Sequence, residues 1–425
     1  MNIPRVDLPR IVVIGCGFAG LKFIQTINSK KYQIVLLDKN NYHTFQPLMY
    51  QVATSGLEPD SITYPIRKIF KGKKRFHFRK TEVISVNTEK KVVVTDKIGE
   101  VSYDHLVIGM GATNNFFGNE DFEKYTVPMK SLLESLDLRS MILQNFEEAL
   151  NSNSIEEQNR LMNFVIIGGG ATGVELAGAL AELKEHVLPK DYPDLDVRRM
   201  EINLIEGSPS LLSAMSKNAS EKSYKFLKSV RVNIWLGTRV QSYDGQTLIT
   251  DKESLESSAV IWTAGVKAIK IAGVNTGDSK SGRILINEFG ESTSQKDVYA
   301  IGDIAEMRTT NDPKGHAMLA SVAGQQGQWL ARNFNRKAMG RKETPFKYKD
   351  RGTMATIGRN KAVVDLKHFQ FSGYIAWLTW MFVHLMLLVD FRNRLVVFVN
   401  WSWRYIKYDR GSRLIIRDFK QQKRR

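Results

Sequence analysis

A short apolar strand, a GxGxxG turn and a helix follow one another at residues 11–26, and the same succession returns at residues 164–186. Past Lys367 the composition changes to a long apolar run followed by a basic, aromatic stretch. Together these features predict an α/β fold with two Rossmann-like dinucleotide-binding domains and a C-terminal membrane-anchoring helical segment.

The second copy is the fuller one. Residues 164–178 read FVIIGGGATGVELAG. FVII has the character of a buried strand. Gly168 permits the tight turn, Gly170 lets the backbone approach a pyrophosphate, and Gly173 lets the helix pack close to the strand. The free N–H groups at the helix start then face the phosphates. A further strand, residues 201–205, ends in Glu206, an acid suited to the hydroxyls of an adenosine ribose. Glu175 falls in the first helical turn. The helix dipole favours a carboxylate there, and the same position suits an acid held near the reactive end of a bound cofactor.

The first copy begins at Arg10 with IVVIG and places Gly15, Gly17 and Gly20 at the same spacing. The next strand, QIVLLD, closes on Asp38, eighteen residues past Gly20. Cys16 lies inside the turn and is the only cysteine. It reads as a small packed residue rather than a redox thiol. A single cysteine excludes an internal disulfide, a CxxC pair and a cysteine-rich metal site. Two fingerprints imply two dinucleotides, one that stays and one that comes and goes. A flavin beside a nicotinamide would make redox chemistry. The alternative is a tandem duplication with one dead site.

Between and beyond the fingerprints the pattern is mixed. Residues 41–70 carry Gly, Pro and aromatic residues irregularly, which predicts loops and short helices. His43 in this stretch has no partner at metal spacing and reads as a hydrogen-bonded structural residue. Residues 75–113 alternate with β-branched residues and predict three or more strands, the last, HLVIGMGAT, entering a Gly-rich turn that would return to the first nucleotide. Residues 127–159 form a polar, amphipathic helical stretch. A helix over 218–228 and a hairpin at Asp244-Gly245 come next. Then a strand ends in Thr263, Ala264 and Gly265, a small turn that another molecule can approach. VYAI ends at Gly302-Asp303, where the acid would accept from a polyol or ribose, or cap a helix. Residues 316–334 predict a helix on which the adjacent Gln325 and Gln326 point to different sides, either as surface residues or as partners of a carbonyl ligand.

Lys plus Arg is 61 and Asp plus Glu is 44, a net charge of +17. That excess suggests an anionic partner. The first ten residues hold no apolar h-region, so no secretory signal is expected. Residues 371–389 are almost wholly apolar and about as long as a minimal span. Beyond them Trp401, Trp403, Tyr405 and Tyr408 lie among Arg392, Arg394, Arg404, Lys407, Arg410, Arg413 and Arg417. One reading is a transmembrane helix with a positive flank. The other is a monotopic anchor on an anionic lipid surface, which His384, Gly373 and Thr379 within the run favour. No nucleic-acid motif accompanies the charge.

GCGFAG with Asp38, NYHTFQPLMYQVATSGLEPDSI, GMGATNNFFG, GGGATGVELAG with Glu206, WTAG, YAIGD, VAGQQG, RGTMATIGRNKAV and FRNRLVVFVNWSWRYIKYDRGSRLI together cover nearly the whole chain. In these motifs the chain resembles the type II NADH:quinone oxidoreductases, the single-chain, non-pumping NADH dehydrogenases of respiratory membranes. The resemblance implies FAD at Gly15, Gly17, Phe18, Ala19, Gly20, Asp38, Lys39, Val83, Ala112, Thr113, Asp303 and Ala320. It implies NADH at Gly168, Gly170, Gly173, Glu175, Glu206, Thr263, Ala264 and Gly265. Glu175 would act near the flavin–nicotinamide contact, and Gln325 and Gln326 at the quinone; no metal is implied. Two positions depart from many relatives: Arg351, where some carry Lys, and HAMLAS before AGQQG, where many are Pro-rich.

The corresponding division is an FAD domain over 1–120 and 271–340, an NADH domain over 121–270 and a membrane-association domain over 341–425. Peripheral attachment to the cytoplasmic face of the inner membrane and a homodimer are also implied. A disulfide reductase, a peroxide-handling flavoprotein and a sulfide:quinone oxidoreductase all need a redox cysteine that Cys16 does not provide. A soluble reductase serving a ferredoxin or rubredoxin fits poorly with the apolar basic tail. A nucleotide-sensing binding protein would keep both fingerprints without turnover.

Overall fold

The computed structural model describes residues 3–310, 312–407, 411–415 and 418–419. Tyr408, Arg410 and Arg417 of the aromatic, basic tail lie outside the described residues. The chain divides into two compact units.

The first unit comprises Met1–Thr44, Thr63–Thr113 and Val266–Asp350. Its centre is a parallel sheet in the order Val298–Ala300, His105–Ile108, Arg10–Ile14, Gln33–Asp38, Phe76–Lys80. RIVVI is buried at every position, as a strand covered on both faces must be. Val12 stands opposite Val35 on one side and Leu106 on the other. A three-stranded antiparallel sheet, Val83–Asn87, Val92–Thr95 and Gly99–Ser102, packs Val86, Val93 and Val101 into the same core as Val12, Val35 and Leu106. The Phe18–Thr26 helix lies along the Ala320–Lys337 helix, and Gly327 has no room for a Cβ against the Ala19 carbonyl. The second of these helices begins later than the 316–334 pattern suggests. Residues 316–319 follow the turn closed by Gly315 N on Asp312 O and run without helical pairing up to Ala320.

The second unit comprises Phe45–Ile62, Asn114–Gly265 and Arg351–Arg425. Its parallel sheet runs Val127–Pro128, Ala259–Trp262, Asn163–Ile167, Glu201–Glu206, Asn233–Leu236. Again an antiparallel three-stranded sheet, Val240–Tyr243, Thr247–Thr250 and Ser254–Glu256, shares its core, here through Tyr243, Leu248, Val165, Ile205 and Trp262. The expected hairpin at Asp244 is present: its Oδ1 accepts from Gln246 N and Thr247 N, both at 2.8 Å, and Gly245 takes φ +103°. The amphipathic stretch after 127 becomes two helices. Leu132–Asn151 starts with a reciprocal Ser131/Glu134 capping box, and Ile155–Met162 starts at a Ser154 cap.

The C-terminal residues from 351, set apart on sequence as a domain of their own, pack within the second unit. Their strands Thr353–Thr356, Ala362–Leu366 and Phe369–Ser372 form an antiparallel sheet. Thr353–Thr356 lies against the Ala171–His186 helix, and Ala362–Leu366 against Lys217–Ser229. Gly178 makes the first contact possible: a Cβ there would sit 2.8 Å from the Ile357 carbonyl carbon. The apolar run 371–389 is not one helix. It contributes part of the Phe369–Ser372 strand, turns at Gly373 with φ +85°, and then forms the helix Tyr374–Leu387. Its 14 residues span ~21 Å, short of a hydrocarbon core of ~30 Å. Among the described residues no helix is long and apolar enough to cross a membrane.

Because Gly178 is pressed against backbone, Gly178→Ala should destabilise the protein by about 1–3 kcal/mol. A urea titration should show a lower midpoint with an unchanged m value. Gly170→Ala, where a Cβ meets nothing within 4 Å, should leave the midpoint nearly where it was.

Candidate active site

Both glycine turns obey one steric rule. The first glycine of each has positive φ, +93° at Gly15 and +110° at Gly168. Each presses on the turn after a neighbouring strand: a Cβ on Gly15 would lie 2.6 Å from Gly109 O, and one on Gly168 would lie 2.9 Å from Ala264 N. The third glycine of each, Gly20 or Gly173, sits on the carbonyl of the first with no space for a Cβ. The middle glycine is different. Gly17 and Gly170 have nothing within 4 Å of a built Cβ, and both precede a helix start with no side-chain cap. Each turn therefore leaves uncapped helix N–H groups facing open space, the arrangement that receives a pyrophosphate.

The strand-terminal acids repeat the symmetry. Asp38 accepts from Cys16 N at 2.6 Å and Asn40 N at 2.7 Å. Glu206 accepts from Gly169 N at 2.6 Å and Ser208 N at 2.7 Å. A carboxylate offers about four lone-pair sites, so each acid is oriented by its own turn and keeps capacity for ribose hydroxyls. Burial pushes Asp38 upward, against the pull of those N–H groups and Lys39. The residues present thus fit a dinucleotide at each turn. Burial, and behind it Asp38, push the Cys16 thiol well above its usual range, which makes it inert.

Around the first turn the structure shows what supports it, and His43 is the hydrogen-bonded structural residue expected from sequence. His43 is buried, and its Nδ1 lies 2.8 Å from Cys16 O, with its ring edge-on to Phe18. Its Nε2 is buried without a partner among the described residues. Among those residues there is no group that could hold a metal. Asp303 sits in the 3-10 turn Gly302–Ile304, and Gly302 packs against Ala19 Cβ and Ala323 Cβ, each 3.2 Å from a built Cβ. Gln326, 1% exposed, accepts from Gly302 N at 2.7 Å and so fixes that turn. Gln325 points elsewhere, exchanging hydrogen bonds with the Lys349 backbone at 2.9 and 3.0 Å. Ala320 opens the same helix. Val83 starts a half-buried strand, Ala112 and Thr113 lie in the short strand Ala112–Asn114, and Lys39 is exposed.

Around the second turn, Thr263 Oγ1 donates to Ile167 O at 2.8 Å, locking the Thr263–Gly265 corner onto the fingerprint strand. Gly265, at φ +87°, faces the Phe117 ring.

On the Ala171–His186 helix, Glu175 borders a cavity of the second unit. The residue is 8% exposed. Thr356 N is 3.4 Å from its Oε1, and Trp380 stands beside it. Burial raises its carboxyl from 4.5 to about 8, against those two donors. Opposite lies the short helix Met49–Ala53. Its Tyr50 and Gln51 are buried, and burial followed by Glu175 pushes the Tyr50 phenol well up. Gln51 Oε1 accepts from Trp401 Nε1 at 2.8 Å, and Arg404 donates to Gly56 O at 2.9 Å. Trp380 and Trp401 complete the wall, their rings 5.8 Å apart. Trp401 and Arg404 were read from sequence only as parts of the basic aromatic tail, and Tyr50, Gln51, Thr356 and Trp380 were not singled out. A glutamine inside the apolar helix MYQVA was the available signal.

Two matched dinucleotide cradles, each on a five-stranded parallel sheet with an antiparallel three-stranded partner, define a pyridine-nucleotide oxidoreductase of the two-dinucleotide class. Residues 9–327 match the pyridine nucleotide-disulphide oxidoreductase family, and residues 351–407 match the NDH2 C-terminal domain. The type II NADH:quinone oxidoreductase Ndh of Mycobacterium tuberculosis is 30% identical over 420 residues, which cover 95% of this chain and 89% of that protein. A probable NADH dehydrogenase of Dictyostelium discoideum is 28% identical, covering 93% and 89%. The chain belongs to the type II NADH:quinone oxidoreductases. In fold it is similar to NDH2 from Plasmodium falciparum, solved with NADH, at a TM-score of 0.89 and 21% identity over 96% of this chain and all of that one. The sulfide:quinone oxidoreductase of Aquifex aeolicus shares the fold more loosely, at a TM-score of 0.67 and 15% identity over 97% and 93%.

Glu175 has a testable signature. Its folded-state value lies above the unfolded one, so the stability it confers is full below pH 4.5 and is lost as pH rises to about 8. Relative to Glu175→Gln, the native protein should therefore lose stability across that window and run parallel above it. Urea midpoints of both proteins against pH are the measurement, and parallel curves throughout would remove the raised carboxyl.

Proposed function

We propose that this chain holds FAD at the first glycine turn, binds NADH at the second, and reduces a membrane quinone to quinol without pumping protons. The observation that carries the reading is the pair of open middle glycines, Gly17 and Gly170, each beside an acid oriented by its own turn. Membership of the type II NADH:quinone oxidoreductases supplies the acceptor. Bound there, FAD supplies the two-electron chemistry that links the two substrates.

The chain's own residues bind and orient. Helix N–H groups after Gly17 and Gly170 take the pyrophosphates, and Asp38 and Glu206 take the ribose hydroxyls. Gly302 and Asp303, set by Gln326, border the FAD position. Ala112, Thr113, Val83, Phe18, Ala19, Lys39 and Ala320 complete that surround in this reading. Thr263, Ala264 and Gly265 allow close approach on the nicotinamide side. Glu175 holds a proton near the reacting groups, and Gln325 is the better placed of the two glutamines to leave its backbone partner and meet a quinone carbonyl.

Attachment is proposed through the C-terminal helices, on the cytoplasmic face of the inner membrane. Ile375, Phe382, Phe391 and Ile406 are each more than 60% exposed on Tyr374–Leu387 and Phe391–Lys407, and Arg392, Arg394 and Lys407 stand among them. Apolar side chains with interleaved cations suit an interfacial helix on anionic lipid. A homodimer is part of the same reading.

Mixing the flavin-loaded protein with NADH in a stopped-flow instrument should bleach the flavin, and a quinone analogue should restore it. Bleaching without recovery would move the acceptor elsewhere, and no bleaching would leave a binding protein. Glu206→Arg should shift kcat/KM toward NADPH, because the acid repels a 2′-phosphate that the guanidinium would pair. An unchanged NADPH/NADH ratio would remove Glu206 from the ribose.

A further inference from the structure

The overall reaction of the proposed function leaves a proton unaccounted for inside the protein. NADH gives up a hydride, that is two electrons and one proton, and leaves as NAD+. The quinone takes two electrons and two protons to become quinol. One proton per turnover must therefore come from solvent. Glu175, the acid assigned to the reacting groups, is buried, and Tyr50, Thr356 and Trp380 line the cavity it borders.

The Ala171–His186 helix presents Glu175, Ala179, Glu182 and His186 to the cavity. Steps of four, three and four residues place all of them on one helical face. Glu182 is one rise of ~10 Å along the axis from Glu175, and His186 is ~6 Å further. Ala179 contributes only a methyl group between them on that face, and water held by the polar groups of the cavity wall would bridge the interval. His186, at the outer end, is half-buried, whereas Glu175 is buried. From this geometry we propose that Glu182 and His186 pass the solvent proton to Glu175 through the cavity, a role that rests on the NADH:quinone reading given above.

The charged neighbours fit a relay held in place from several sides. Glu182 Oε1 accepts the backbone N–H of Arg359, whose guanidinium lies over the Tyr405 ring at 3.8 Å. Arg404, half-buried on the Phe391–Lys407 helix, faces Glu182 and Tyr50. His186 is faced by Glu182, Glu185, Arg359 and Lys190, with burial lowering its basicity most. Glu175, raised to about 8 by burial, takes up a proton readily at neutral pH.

A purely structural role for Glu182, holding the Gly358–Arg359 turn, predicts different kinetics. Glu182→Gln keeps an oxygen that can accept the Arg359 N–H but removes the exchangeable carboxyl proton. Flavin-loaded, full-length protein should be mixed first with NADH and then with a quinone analogue, in H2O and in D2O, across neutral to alkaline pH. In Glu182→Gln, NADH bleaching should be unchanged. Recovery by quinone should slow about 100-fold, show a larger solvent isotope effect, and be restored by formate or azide, acids small enough to enter the cavity. Glu182→Asp should retain most of the rate, and His186→Gln should move the alkaline limb of the recovery rate to lower pH. Unchanged recovery in Glu182→Gln, or slow recovery with neither a larger isotope effect nor rescue, overturns the relay. If the native protein itself fails to bleach or to recover, the parent reading fails instead.

Discussion

The contact on which most of this structure depends is the seat of the third fingerprint glycine on the carbonyl of the first. Gly20 on Gly15 and Gly173 on Gly168 leave no volume for a Cβ. That closeness draws each helix start onto the end of its strand, and only then do the middle glycine and the uncapped N–H groups face the same space. The acids follow from it. Asp38 and Glu206 each reach the glycine turn with one oxygen because the neighbouring strand is in parallel register beside the fingerprint strand. A side chain at either third position would part helix and strand and disperse the open helix start together with its strand-terminal acid.

A second constraint is the burial of Glu175. An isolated carboxyl in an apolar surround is raised because the charged form loses hydration. Here the surround is assembled from segments distant in sequence: Tyr50, Thr356 and Trp380. Of the two glutamines that the sequence offers to a carbonyl ligand, Gln326 is buried in a hydrogen bond to Gly302 N. Its amide shapes the Asp303 turn, whereas its neighbour Gln325 is bonded to the backbone at Lys349. Adjacent helical positions do point to different sides, and here that difference separates a residue that builds the turn from one on a half-buried face.

The fold was largely legible because its signals are local. A β-branched run without polar alternation indicates a strand covered on both faces, and RIVVI and NFVII are such strands. Glycine spacing specifies the turns, and Asp244-Gly245 specifies a hairpin. Less legible was the tail. Apolar composition over residues 371–389 matches the length of a span, but Gly373 at positive φ and the pairing of Phe369–Ser372 with Ala362–Leu366 divide it. Composition measures hydrophobicity without reporting where backbone hydrogen bonds go, so it could not place that break. The membership of residues 45–62 and 351–425 in the second unit was hidden for a similar reason. For the C-terminal residues it rests on Gly178 admitting the Ile357 backbone, a contact between residues nearly 180 positions apart, and for residues 45–62 on the packing of Met49–Ala53 against the Leu132–Asn151 and Ala171–His186 helices.

The sequence by itself determined the two dinucleotide cradles, their acids and the family, because each cradle is a continuous strand–turn–helix whose geometry is set by backbone sterics within a few residues. Only the tertiary structure decided what surrounds Glu175, which role each of the two glutamines takes, and which helix face the cavity meets. Those properties arise from desolvation and from hydrogen bonds between distant segments. Desolvation depends on everything packed around a group in three dimensions, and no local pattern of residues encodes it.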